Sequence, residues 1–138
     1  MNNIFSPSSC RTIVLFICFV LSPFVQATDK KVTLLFTNDV ESAYDPIPAF
    51  WLDDLNRIGG IAEMTTLINE IRAKNTRTFL FDAGDIFTGA LAKETQGALA
   101  FDLMALMGYD ALGIGNHEFE YGVEVFGWQK NRAPFPVL

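Results

Sequence analysis

Short apolar runs recur along the chain at the length of β-strands. Val32–Phe36 and Thr78–Phe81 are nearly continuous runs of this kind, and Ala111–Ile114 is a third. Runs without polar alternation are typical of strands that are buried on both faces of a parallel sheet. Phe135–Leu138 has the same character and predicts the start of a fourth strand.

The stretches between these runs follow a helical spacing instead. Residues 61 to about 74 place apolar side chains three and four positions apart, which predicts a helix with one buried stripe. The stripe consists of Ile61, Met64, Leu67, Ile68 and Ile71. A second helix is predicted from about Gly97 to Met107, since Gly108 suits its C-terminal cap. Val123–Lys130 is a shorter candidate helix.

The order of these elements defines the fold class. Strands that alternate with helices predict an α/β fold with a mainly parallel sheet and right-handed crossovers. Residues 42–57, which contain two prolines, are predicted to be irregular. Ligands of such sheets bind beyond the carboxyl ends of the strands, so the residues that follow each run are the candidates for function.

The first 27 residues have the pattern of an export signal. Arg11 precedes the apolar run Thr12–Leu21, Pro23 interrupts that run, and Val25–Ala27 resembles a small-residue cleavage site. The alternative is an uncleaved membrane anchor, although a spanning helix needs roughly 20 apolar residues. We therefore predict a signal peptide at 1–27 and an exported protein, periplasmic or extracellular, with no stable membrane anchor after cleavage.

Composition and charge exclude several classes of protein. Half of the 138 residues are hydrophobic and 19% are charged, which excludes a disordered chain. The net charge is −6, so nucleic acid exerts no electrostatic attraction and we expect no nucleic-acid partner. Cys10 and Cys18 both lie in the predicted signal, so the exported part has no cysteine for a disulfide.

Residues with metal-binding side chains follow each of the first three predicted strands. They are Asp39 and Glu41, Asp82 and Asp85, and Asn116, His117, Glu118 and Glu120. Carboxylates brought together repel each other unless a cation lies between them, and these donors suit divalent ions such as Mn²⁺, Mg²⁺, Fe²⁺ or Zn²⁺. The alternative is that an acidic residue after a strand only caps a helix or forms a turn.

His117 is the only histidine of the chain. An isolated histidine is more often structural, but beside a metal-bound phosphate a cationic imidazole can stabilise negative charge or protonate a leaving oxygen. Glu120 is the candidate carboxylate to orient it. Asp82 is either a ligand or a structural residue bonded to the backbone. Glu118 is either solvated or a support behind the ligands.

Several motifs, in order, carry a resemblance to a known family: Phe36–Asp39, Gly59–Ala62, Phe81–Gly89, Gly108–Phe119 and the ending Pro134–Leu138. Together they resemble the calcineurin-like metallophosphoesterases, and within them the bacterial secreted 5′-nucleotidase / UDP-sugar hydrolase branch. The resemblance spans about residues 32–138. It implies a four-layer α/β/β/α sandwich, of which this chain is the N-terminal portion.

The same resemblance implies a catalytic centre with two divalent metal ions, of Mn, Zn, Mg or Co. It assigns Asp39 to the first ion, Asp85 to both ions and Asn116 to the second. His117 then stands beside the phosphate and is paired with the acidic residue Glu120.

The chain departs from the family's pattern at three points. Glu41 stands where the family usually has a metal-binding histidine, and we expect this glutamate to be a ligand. Glu120 stands where the family usually has an aspartate. The family's later metal-binding histidines and its nucleoside-gripping domain have no counterpart here. We therefore expect residues 28–138 to be a truncated N-terminal part of the catalytic domain, with the missing C-terminal half as its partner.

Two functions are open on these observations. The first is metal-dependent hydrolysis of phosphate esters, above all of 5′-nucleotides or related nucleotides, by a secreted enzyme of which this chain is the first part. In that case the chain alone is expected to be inactive. The alternative is a truncated, non-catalytic remnant that at most binds a metal ion.

Overall fold

The computed structural model describes residues 29–138, of which Lys31–Leu138 form one compact unit. The predicted signal peptide at 1–27 lies outside the described residues. Among residues 29–138, none of the helices has both the length and the apolar character needed to cross a membrane.

A three-stranded parallel sheet is the framework of the unit. Its strands β1 (Thr33–Thr37), β4 (Thr78–Asp82) and β5 (Ala111–Leu112) lie in the order β1-β4-β5. The register pairs Thr33 with Thr78 and Phe81 with Ala111. The predicted α/β class is therefore confirmed, with two of the three strands close to their predicted bounds.

Two predicted strands are shorter in the structure than in the sequence pattern. The third run forms only the two-residue β5, and the predicted fourth strand is reduced to one parallel bridge between Leu112 and Val137. The stretch predicted to be irregular contains a small antiparallel pair, β2 (Ile47–Pro48) with β3 (Arg57–Ile58).

Four α-helices occur in the described residues: α1 (Ile61–Lys74), α2 (Ala90–Thr95), α3 (Ala98–Met107) and α4 (Val123–Gln129). Short 3₁₀ turns span His117–Phe119 and Lys130–Arg132. The helices predicted at 61–74, 97–107 and 123–130 are confirmed to within about a residue at each end. Helix α2 was not predicted; the left-handed residues Gln96 (φ 48°) and Gly97 (φ 80°) separate it from α3.

The hydrophobic core lies between the helices and one face of the sheet. Its strand residues Leu80 and Leu112 are buried among side chains from α1, α3 and α4. Phe87 is central, since its ring meets Phe101 and Phe126 edge-on at centroid distances of 5.6 and 6.0 Å. These helices position the loops that follow β4 and β5.

The opposite face of the sheet is apolar but open. Leu34 and Phe36 alternate with the core-facing Leu35, and the parallel register sets Leu34 beside Phe79 and Phe36 beside Phe81. Leu34 is 61% exposed and Phe36 76%. The expectation that both faces of the first strand are buried is therefore wrong for the described residues, because their helices cover one face only.

Candidate metal centre

The loops after β1, β4 and β5 lie side by side at the carboxyl end of the sheet. The N–H of Asp39 donates to the carbonyl oxygen of Gly84 at 3.1 Å. On the other side of β4, the N–H of Gly113 donates to the carbonyl oxygen of Asp82 at 2.7 Å. The topology thus brings together the three polar segments that the sequence placed after separate strands.

Asp85 connects the second loop with the third. Its backbone is left-handed (φ 63°), and its Oδ1 accepts a hydrogen bond from the N–H of His117 at 2.9 Å. A Cβ at Gly115 would collide with the Asp85 carboxylate, so glycine is needed at that position. This close approach brings the carboxylate against the backbone that leads to Asn116.

The other three predicted metal ligands lie on the surface of the same region. Asp39 and Glu41 both have left-handed backbones (φ 51° and 47°) in the loop after β1, and their side chains are exposed. The side-chain amide of Asn38 donates to the Asp39 carboxylate. Asn116 is also exposed and precedes the 3₁₀ turn that begins at His117.

The predicted pair of His117 and Glu120 is in contact. His117 Nδ1 and Glu120 Oε2 are 2.9 Å apart, and both side chains are partly exposed. The hydrogen bond with Glu120 is the main cause that raises the pKa of His117, and the negative charges of Asp85 and Glu41 raise it further. The geometry and the charges both favour a protonated, oriented imidazole.

Glu118 lies in the interior, so the alternative that it is solvated is wrong. It is completely buried, and its carboxylate accepts three backbone N–H groups: those of Asp85 (3.1 Å), Ile86 (2.8 Å) and Gly115 (2.5 Å). No local pattern could predict this, because two of the donors lie more than 30 residues away in the sequence. Its only sequence signal is its place in the segment Gly115–Glu118.

Asp82 is also buried and bonded to the backbone. Its Oδ1 accepts the N–H of Gly84 at 2.8 Å, and its Oδ2 accepts the hydroxyl of Thr37 at 2.5 Å. The Thr37 hydroxyl lies 2.7 Å from that of Tyr109. Burial raises the pKa of Asp82, against the opposing effect of the bonds from Thr37 and Gly84. This position agrees with the structural alternative for Asp82.

A divalent ion fits this region by donor type, but the described residues supply only part of a site. Asp39, Asp85 and Asn116 offer hard oxygen donors on adjoining loops, and Gly115 leaves room at the Asp85 carboxylate. Residues 29–138 do not hold three or more His, Cys, Asp or Glu side chains in an arrangement ready to bind a metal.

Known proteins share both the sequence and the fold of this region, although no family model matches the chain. A 5′-nucleotidase of Vibrio vulnificus is 37% identical over 116 residues, which are 80% of this chain and 20% of that protein. The crystal structure of a 5′-nucleotidase precursor from Thermus thermophilus superposes with a TM-score of 0.71 and 29% identity, over 78% of this chain and 21% of that one.

A third similar protein is named after the broader group of phosphoesterases. The calcineurin-like phosphoesterase YfkN from Bacillus subtilis superposes with a TM-score of 0.63 and 27% identity, over 78% of this chain and 36% of that one. The chain spans about a fifth of the length of the curated relatives that it matches. The similarity thus concerns one part of those longer proteins.

Proposed function

We propose that this chain, which belongs to the calcineurin-like phosphoesterases of the 5′-nucleotidase branch, is the N-terminal part of an enzyme that hydrolyses phosphate esters of nucleotides. The observation that carries this proposal is the double attachment of His117. Its N–H binds the candidate ligand Asp85, and its ring binds the carboxylate of Glu120. An imidazole with a raised pKa and a fixed orientation is therefore next to the place where a phosphate would bind.

The proposed ligands divide between two ions. Asp39 and Glu41 would hold the first ion, Asp85 would contribute to both, and Asn116 would hold the second. Two divalent ions held there would supply positive charge to the phosphate and would lower the pKa of bound water. The donor chemistry of carboxylate and amide oxygens supports Mn²⁺ or Mg²⁺ as readily as Zn²⁺.

His117 has a separate part in the proposed reaction. Because Glu120 occupies Nδ1, the nitrogen left to meet the substrate is Nε2. A protonated ring can donate this N–H to a phosphate oxygen, or give the proton to the leaving oxygen of the ester. Glu120 fixes the tautomer and the orientation of the ring, as a carboxylate partner of histidine commonly does.

We also propose that residues 1–27 direct export to the periplasm or the exterior, and that residues 28–138 are the first part of the catalytic domain. The share of the relatives' length that the chain spans supports the second point. So does the open apolar face of the sheet, since a parallel sheet is normally covered on both faces.

One observation favours the alternative of a non-catalytic remnant that at most binds a metal ion. The described residues bring no three metal-binding side chains of the His, Cys, Asp and Glu types into a ready cluster. The exposed side chain of Glu41, at a position where the resemblance implies histidine, adds to this.

The two functions are separated by joining the chain to the rest of an enzyme. A chimera of this chain with the remaining part of the Vibrio vulnificus 5′-nucleotidase is assayed for 5′-AMP hydrolysis with excess Mn²⁺, beside the chain alone. We expect metal-dependent turnover by the chimera, none by the chain alone, and a loss of about 100-fold or more in the His117→Ala chimera.

The controls decide what a failure means. A Glu41→His chimera tests whether the unusual ligand alone prevents activity, and the intact Vibrio enzyme tests the assay. Folded chimeras that are inactive with either residue at position 41 would favour the remnant. Robust turnover by the chain alone would show that its ligands suffice.

A further inference from the structure

Glu118 is the one carboxylate of the described residues that is completely buried and bonded to two ligand-bearing loops. Its two oxygens share three backbone donors. Oε2 accepts the N–H groups of Asp85 and Gly115, and Oε1 accepts the N–H of Ile86. A buried N–H without a partner is costly, so this side chain satisfies groups that have no other acceptor among the described residues.

These contacts join the loop after β4 to the loop after β5. The first loop carries Asp85 and the second carries Asn116, which are proposed to contact the same ion. Asp82 extends the arrangement, because it accepts the N–H of Gly84. Three successive N–H groups, at residues 84, 85 and 86, therefore bind buried carboxylates.

The loop after β4 needs such support because of its backbone. Asp85 is left-handed (φ 63°), a conformation that side chains other than glycine seldom adopt. In this conformation its carboxylate lies against Gly115 and accepts the N–H of His117. The bonds that Glu118 receives on either side of the Asp85 Cα hold that conformation in place.

We propose that Glu118 is a positioning residue, which fixes Asp85 and Asn116 relative to each other before a metal ion binds. The inference rests on the proposed function, since it gives these two residues a shared ion. Glu118 itself touches neither metal nor substrate. It acts through the backbone of residues 85, 86 and 115.

Glu118→Gln is the sharpest variant, because it keeps the volume of the side chain and removes one acceptor. If the amide oxygen stays with Asp85 and Gly115, the NH₂ group faces the N–H of Ile86, and two donors then oppose each other. Met104→Ala serves as the matched control, since Met104 is buried in α3 and takes no part in these hydrogen bonds.

The first measurement is amide hydrogen exchange of the full chain without metal, followed by NMR. We expect Glu118→Gln to speed exchange at residues 85, 86 and 115 by about tenfold relative to the core amide of Leu80. Met104→Ala should speed exchange evenly. An even pattern in Glu118→Gln, or no change, would overturn the positioning role.

A second measurement tests the inference on the unmodified chain, in case Glu118→Gln fails to fold. Scalar couplings across the hydrogen bonds, from the amide nitrogens of residues 85, 86 and 115 to the Glu118 carboxyl carbon, are recorded on the unmodified chain. Their presence supports the inference, and their absence contradicts it.

A Mn²⁺ titration then separates this inference from the proposed function. Mn²⁺ should broaden the amide signals of Asp85 and Asn116 together, and Glu118→Gln should need about tenfold more Mn²⁺ for the same effect, whereas Met104→Ala should not. An unmodified chain that shows no broadening contradicts metal binding by the ligands of this chain alone, and the exchange pattern then decides the positioning role. Equal titrations of the unmodified chain and Glu118→Gln contradict the positioning role.

Discussion

The two faces of the central sheet both carry large apolar side chains, but their surroundings are opposite. On one face Leu80 is 1% exposed and Leu112 is fully buried. On the other, Leu34 and Phe36 are mostly exposed although they are equally apolar. What separates them is the helical layer that residues 61–129 place on one side only.

This contrast shows that an apolar strand specifies a need for burial but does not supply the partner. Monomeric soluble proteins rarely expose extended apolar patches, and such patches commonly mark a surface that another segment or protein covers. The open face therefore agrees with the proposal that the described residues are one part of a longer catalytic domain.

The largest expected effect is a difference in unfolding free energy between alanine substitutions on the two faces of the sheet. Leu80→Ala should lower the free energy of unfolding by about 2–5 kcal/mol, because it leaves a cavity in the core. Phe36→Ala removes a larger side chain but should change the free energy of unfolding by only about 0.5 kcal/mol, because water already surrounds that ring. Urea denaturation of the full chain measures both, and equal losses would show that the open face is covered in solution.

A smaller loss of unfolding free energy is expected for a substitution in the loop that follows β4. Gly84 has φ 107°, and a Cβ there would collide with the backbone of Gly115. Gly84→Ala should cost about 1–3 kcal/mol. Gly127→Ala is the matched control, because its Cβ would meet nothing within 4 Å, and it should be neutral or stabilising by about 0.5–1 kcal/mol. A neutral Gly84→Ala would contradict the loop geometry.

Asp82, on the buried face of the sheet, makes the free energy of unfolding depend on pH. Its folded-state pKa is raised by burial, so it contributes stability that is present below the ordinary aspartate pKa and is lost as pH rises through the raised value. Asp82→Asn should remove this loss of stability. The free energy of unfolding of the variant, relative to that of the unmodified chain, should therefore increase as pH rises from the ordinary aspartate pKa through the raised one. Urea midpoints at a series of pH values in EDTA test it, and parallel curves would contradict it.

The open face should accept charge at little energetic cost. Phe36 lies on β1, an edge strand of the three-stranded sheet. Phe36→Lys should raise the protein concentration at which light scattering begins, because a lysine on an exposed edge strand discourages association. The free energy of unfolding should change by only about 0.5 kcal/mol. Phe50→Lys, in a loop outside the sheet, is the control. An equal gain from both would assign the effect to charge alone.

The smallest effect concerns a pair that belongs to neither face. Glu120→Gln should lower the pKa of His117 towards its ordinary value, because the main cause of its increase is the hydrogen bond with Glu120. Glu124→Gln, on α4, should leave that pKa unchanged. NMR titration in EDTA resolves the shift, since the chain has one histidine. An unchanged titration in Glu120→Gln would show that the two side chains are apart in solution.

The sequence predicted what depends on neighbours along the chain. Helix α1 is predicted at its observed bounds because its apolar stripe repeats locally, and Asp85 and His117 are proposed as site residues because they lie in short segments that follow strands. Glu118 and the open face could not be resolved in this way. The burial of Glu118 depends on a loop more than 30 residues away, and the exposure of Phe36 depends on which layers surround the sheet.

The pairing of β1 with β4 also has a consequence in time. Thr33 and Thr78 are adjacent in space, so β1 must wait for about 45 further residues before its partner exists. At a synthesis rate of about 5–20 residues per second, this interval is roughly two to nine seconds. During it the apolar β1 lacks β4, the strand with which it pairs among the described residues. The segment therefore stays available for wrong pairing until β4 has been made.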